Sequence, residues 1–137
     1  MTSLILLDNE AVQALGTVDH PKHRRVLSHV QVVTQRKRRA VPVNIQVPTT
    51  VRVEAGWDRT AVSWAFANRL RIADAVLDAA QANTAASIRE GTQASVADSH
   101  LGAVIRSSDA DGITVLTSDP GDARAVAGDR HITVVTI

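Results

Sequence analysis

Four acids stand where an acid is costly. Asp8 closes the apolar run "LILLD", Glu54 sits inside "VPTTVRVEAGW", Asp98 lies in "SVADSHLGAVI", and Asp119 closes "VLTSD". An ionised carboxylate on a buried face is unfavourable unless it is paired, protonated or bound to a cation. Several inward acids from separate segments therefore point to a shared cation. The chain has no cysteine, and His20, His23, His29, His100 and His131 form no H-E-x-x-H or comparable pair, so the available donors are oxygens. Oxygen donors favour hard cations, Mg²⁺ or Mn²⁺, which also coordinate phosphate. One or two such ions, about 3.5–4 Å apart when paired, can activate a water and stabilise a leaving oxygen in phosphodiester cleavage. Nucleic acid is the substrate this implies.

Each acid also has an ordinary explanation. Asp119 precedes Pro120, a good N-cap followed by a good first helical residue. "SVAD" (95–98) fits a capping box, yet Asp98 would share a helix face with Leu101 and Ile105, toward the core. Glu54 has no such explanation, because Val51 stands three residues before it. On a helix opening at Thr49, Glu54 falls on the face of Val51 and Trp57, and its carboxylate is expected in apolar surroundings.

The elements that must position these acids follow from periodicity. "LILL" (4–7) and "GITVLTSD" (112–119) read as strands buried on both faces and ending in an acid, "VNIQV" (43–47) as a strand between prolines, and "HITVVTI" as a last strand. "NEAVQAL" reads as a helix closed by Gly16, and Val26, Leu27, Val30 and Val33 mark an amphipathic helix running to about Arg38. Further helices are expected from Thr49, over 60–70, over 74–89, over 96–107, and from Pro120 to about Gly128. Alternating strands and helices predict an α/β fold, a three-layer α/β/α domain with a mainly parallel sheet. In such sheets function gathers at the carboxyl ends of strands, where Asp8 and Asp119 fall.

Composition agrees. The 137 residues suit one domain spanning 1–137, with 45% hydrophobic and 21% charged residues, as in an ordinary globular chain. The opening "MTSLILLD" lacks a basic leader region, and its apolar run is far short of the roughly 20 residues that span a membrane, so a cytoplasmic location and no membrane partner are expected. Fifteen Lys+Arg against fourteen Asp+Glu leave a formal charge of +1, but the cations cluster at "KHRR" (22–25) and "RKRR" (36–39). Such clusters can meet phosphate, although a solvated helix face explains them too.

Taken in order, "LILLDNEAV", "VPTTVRVEAGW", "SVADSHLGAVI" and "VLTSDPGD" closely resemble PIN-domain ribonucleases, specifically the VapC-type toxins of bacterial toxin–antitoxin pairs. The resemblance spans nearly the whole chain. It implies a PIN-like domain in which Asp8, Glu54, Asp98 and Asp119 are catalytic and hold Mg²⁺ or Mn²⁺, with Asp122 one turn on helping a second ion. It also implies that Asn9 and Ser118 support the site, and that RNA is hydrolysed without a covalent nucleophile. Arg24, Arg25, Arg36, Lys37, Arg38 and Arg39 become phosphate contacts. A homodimer and a small VapB-like antitoxin, whose tail occupies the acidic groove, are the implied partners. One departure is "DNEA" after the first strand, where many members read Asp-Thr-Asn or Asp-Ser-Ser, and the role of Glu10 is left open.

Other classes fit less well. A phosphoacceptor receiver needs adjacent acids and a late lysine, whereas Lys22 and Lys37 are early, and a dehalogenase-like phosphatase needs Asp-x-Asp. Neither G-x-x-x-x-G-K-[ST] nor G-x-G-x-x-G occurs. Trp57, Trp64 and Phe66 are too few to make stacking platforms for single-stranded RNA, and the two tryptophans read as packing residues. The non-enzymatic alternative is a PIN fold that binds RNA or a partner without cutting.

Overall fold

A computed structural model describes residues 2–35 and 43–137. Its elements run β1 (Ser3–Leu7), α1 (Asn9–Gly16), α2 (His23–Gln35), β2 (Val43–Pro48), α3 (Thr49–Ala55), a 3-10 turn (Val62–Trp64), α4 (Ala65–Asn68), β3 (Ala73–Ala75), α5 (Ala79–Thr92), α6 (Val96–Ser107), β4 (Gly112–Thr117), α7 (Pro120–Ala127) and β5 (Thr133–Thr136). The five strands form one all-parallel sheet in the order β3-β2-β1-β4-β5, and the α/β reading holds.

β1 is central because its side chains are apolar on both faces. Leu4 and Leu6 face a cluster with Leu101, Val104 and Ile105 of α6 and Ala123 and Ala127 of α7. Leu7 faces the opposite cluster with Val12 and Leu15 of α1, Val26 and Val30 of α2, and Val51 of α3. Helices thus cover both faces, giving the three layers. Leu6 and Leu7 are fully buried, each contributing about 1.5–3 kcal/mol by burial. α5 lies further out. Its buried residues are Ala85 and Ile88, which pack with Ala103 of α6 and Val126 of α7.

Two expected helices change form. Residues 60–70 make a 3-10 turn and a single helical turn, because Trp57 stacks on Trp64 at 5.7 Å and donates its indole N–H to Asn68 at 2.8 Å. The helix expected over 74–89 opens late: 73–75 pair with 46–48 as the edge strand β3, and the helix starts only after the Asp78 cap. That helix runs through Gly91 to a left-handed Gln93. The continuation of α2 to Arg38 lies outside the described residues. Among those described, no helix is long and apolar enough to cross a membrane.

Candidate functional site

The strand order reverses between β1 and β4, since β1 leads to β2 on one side and β4 to β5 on the other. A crevice outside the carboxyl ends of strands at such a point is the usual ligand position in open α/β sheets. Leu7 is paired with Leu116, and the Asp8 N–H donates to the Leu116 carbonyl at 3.2 Å. Asp8 is then the N-cap of α1, its carboxylate accepting the Ala11 N–H at 3.2 Å. Across from it, the buried Thr117 hydroxyl hydrogen-bonds the Asp8 carboxylate and accepts the Asp119 N–H at 3.0 Å. Asp119 caps α7 by accepting the Asp122 N–H at 3.1 Å, as expected of an acid before proline. Asp98 arrives from α6, where its N–H donates to Ser95 Oγ at 3.1 Å.

Electrostatics connect these acids. Burial pushes the Asp8 carboxyl above its ordinary range, against the hydrogen bonds from Thr117 and Ala11, and the charges of Asp98 and Glu10 push it further. Asp122 is raised chiefly by the charge of Asp119, then by burial, by a hydrogen bond shared with the Asp119 carboxylate, and by Asp98. Asp98 therefore repels both Asp8 and Asp122. Asp8, Asp98, Asp119 and Asp122 form a run of mutually unfavourable carboxylates from three places in the chain, and none of them makes an ion pair among the described residues. Glu10 differs, being held by His20 Nε2 at 3.3 Å and Lys22 Nζ at 3.4 Å. It is an ion-paired acid rather than a free one.

Glu54 is not where its neighbours in sequence suggested. It is exposed, like Val53 beside it, and the expected apolar surroundings are absent. α3 stops at Ala55, and Gly56 in the left-handed region (φ 76) turns the chain before Trp57, which breaks the helical spacing that would have put Glu54 beside that ring. Asn9 accepts from Gln13 Nε2 at 3.1 Å, and Ser118 is exposed. Arg24 and Arg25 are exposed on α2, whereas Arg36, Lys37, Arg38 and Arg39 lie outside the described residues. Thr117 was not among the expected residues. The only sequence signal for it was its place two residues before Asp119 on an otherwise apolar strand.

The arrangement offers carboxylate oxygens and an excess of negative charge beside the carboxyl ends of β1 and β4. Among the described residues, however, no three His, Asp or Glu side chains are arranged to hold a metal ion. No protein-family model matches the chain, and no curated protein matches it.

Proposed function

We propose that this chain is a metal-dependent endoribonuclease with a PIN-like fold, the VapC-type toxin of a toxin–antitoxin pair, acting in the cytoplasm on an RNA substrate. The observation that carries the reading is the run of mutually repelling carboxylates at the switch point of the sheet. Repulsion of this kind stabilises nothing in the empty protein, and a divalent cation would relieve it. An all-oxygen donor set suits Mg²⁺ or Mn²⁺.

Asp8, Asp98 and Asp119 would hold the cation, with Asp122 beside them; Glu54, exposed on α3, is the fourth acid that the resemblance implies. When bound, the ion supplies water activation and charge neutralisation at the phosphate. The chain's own residues do the rest. Thr117 orients Asp8 through its hydroxyl and holds the Asp119 backbone with the same oxygen. Asp8 must lose any proton that its raised pKa retains before it can act as a ligand. Arg24 and Arg25 would meet phosphates of the bound strand. A homodimer and a VapB-like antitoxin complete the proposal.

The test is cleavage of RNA by the purified protein with Mg²⁺ or Mn²⁺, beside an EDTA control and Asp98→Asn. Cleavage that disappears in both controls is the expected result. A folded protein that cuts nothing in total cellular RNA and binds no Mn²⁺ would instead be a PIN-like module that binds RNA or a partner. The exposure of Glu54 is the observation that favours that second reading.

A further inference from the structure

β2 lies inside the sheet, between β3 and β1, yet Asn44 and Gln46 make one of its faces polar. Strands inside parallel sheets are ordinarily apolar on both faces. Asn44 pairs in register with Leu4 and Gln46 with Leu6, so both amides stand on the face where those leucines meet α6. They are about 6.6 Å apart along the strand. Asn44 is exposed and Gln46 half-buried. Beside them runs a groove of about 470 Å³, bounded by the start of β1, the segment after β3, Gln81 of α5 and the C-terminal end of α6. That volume suits a small molecule, for which about 300–1,000 Å³ is usual. The groove is separate from the acids. Ser107 at its wall is roughly 13 Å along α6 from Asp98, and no acid of the proposed metal site lines it.

The lining decides the ligand class. It has no lysine, arginine or histidine, and its one charged residue is Asp109, so an anion such as phosphate is unfavourable there. Its other polar groups are amides and hydroxyls, which both donate and accept. The Ser107 hydroxyl donates to the Val104 carbonyl at 3.4 Å and accepts from Gln81 Nε2 at 2.7 Å. Gln81 Oε1 is thereby left as an acceptor, buried and without a hydrogen-bond partner among the described residues. Val76, which is exposed, and Val104 supply aliphatic surface. Side-chain amides on a flat face, flanked by apolar carbons, match a neutral planar ring whose edge carries donors and acceptors side by side. Asn and Gln pair with adenine in this way. We propose that the groove binds an uncharged nucleobase, carried by a free nucleoside or by a single-stranded RNA, with Asn44 and Gln46 reading its edge. The Gln81–Ser107 bond ties α5 to α6 beside the groove, so a bound base also holds α5 in place.

The experiment titrates the full isotope-labelled chain, in EDTA, with each common ribonucleoside, its monophosphate and a single-stranded RNA of mixed sequence, following backbone amide resonances. The expected result is that a nucleoside shifts amides of 2–4, 44–46 and 107–110, and that its monophosphate binds more weakly. Gln46→Leu and Asn44→Leu should each weaken binding about 10-fold, and deuterium exchange in α5 should slow in the complex. If Gln46→Leu fails to fold, Asn44→Leu, at an exposed position, decides alone. Shifts at these amides from RNA but not from nucleosides assign the base to a strand and uphold the site. Nucleosides and RNA that leave these amides unmoved, or that bind both leucine variants as tightly as wild type, overturn it. EDTA keeps the outcome independent of any metal at the acids, so neither this reading nor the ribonuclease reading falls with the other.

Discussion

Asp8 caps α1, which favours its ionised form, while burial and the charge of Asp98 disfavour it. Because its folded-state pKa is raised, ionisation costs more in the folded chain than in the unfolded one. The penalty is absent below the ordinary value of 3.8, grows as pH rises through the raised folded value, and is complete above it. Asp8→Asn keeps a capping side chain and removes the charge. Melts in EDTA at pH 7 should therefore show Asp8→Asn about 2–5 °C more stable than wild type, with the gain gone near pH 3.5. If Mg²⁺ or Mn²⁺ binds here, saturating ion should reverse the order by stabilising the wild type alone, by about 2.7 kcal/mol at a hundredfold excess over Kd. Thr117→Val should cost about 1–3 kcal/mol in urea unfolding, since it strands the Asp119 N–H and a lone pair of Asp8, while Thr117→Ser should cost much less. Legibility differs sharply among these residues. Asp8 and Asp119 could be placed from sequence because an apolar run ending in an acid marks a strand end, whereas Thr117 becomes visible only when the β1–β4 register sets it beside Asp8. Glu54 was misplaced because one residue, Gly56, ends the helix before the assumed spacing applies.

Among the elements, α6 decides how closely the outer layer approaches. A Cβ at Gly102 would stand 2.7 Å from both the Val126 Cβ and the Val126 carbonyl oxygen of α7, and backbone cannot step aside as a flexible side chain can. Gly102→Ala should thus destabilise the fold by about 1–3 kcal/mol, although alanine is the better helix former by about 1 kcal/mol. Equilibrium urea denaturation measures the balance, and a neutral result would mean the two helices separate freely. The elements most legible in sequence were those with strong patterns, namely the doubly apolar strands and the amphipathic helices. β3 was not, since "ADA" has weak strand preference and exists as a strand only through its pairing with 46–48. The turn at 62–68 was obscured in another way. Its apolar spacing suits a helix, but the Trp57–Trp64 stack and the Trp57–Asn68 bond hold the segment to local partners.

For the molecule as a whole, the sheet order is what brings Asp8 and Asp119 together, and no local pattern states that order. The alternation of strands and helices does give the α/β class. If RNA lies along α2, the exposed Arg24 and Arg25 act at the level of total charge, and replacing both by alanine should weaken binding while flattening its salt dependence by roughly 0.7 in slope for each phosphate no longer neutralised. Filter binding at several salt concentrations tests this, and an unchanged slope would remove these arginines from the RNA path. The attachment of α5 has a consequence of its own. A helix of fourteen residues that buries only Ala85 and Ile88, and these against other helices, can detach without uncovering the sheet. Its amides should exchange with deuterium well before those of β1 and β4, and a protease should nick 79–92 before it cuts β1 or β4. The clipped protein would still hold β1 against β4, because that pairing is made by segments on either side of the cut. Asp8 and Asp119 would then remain together in two fragments that copurify.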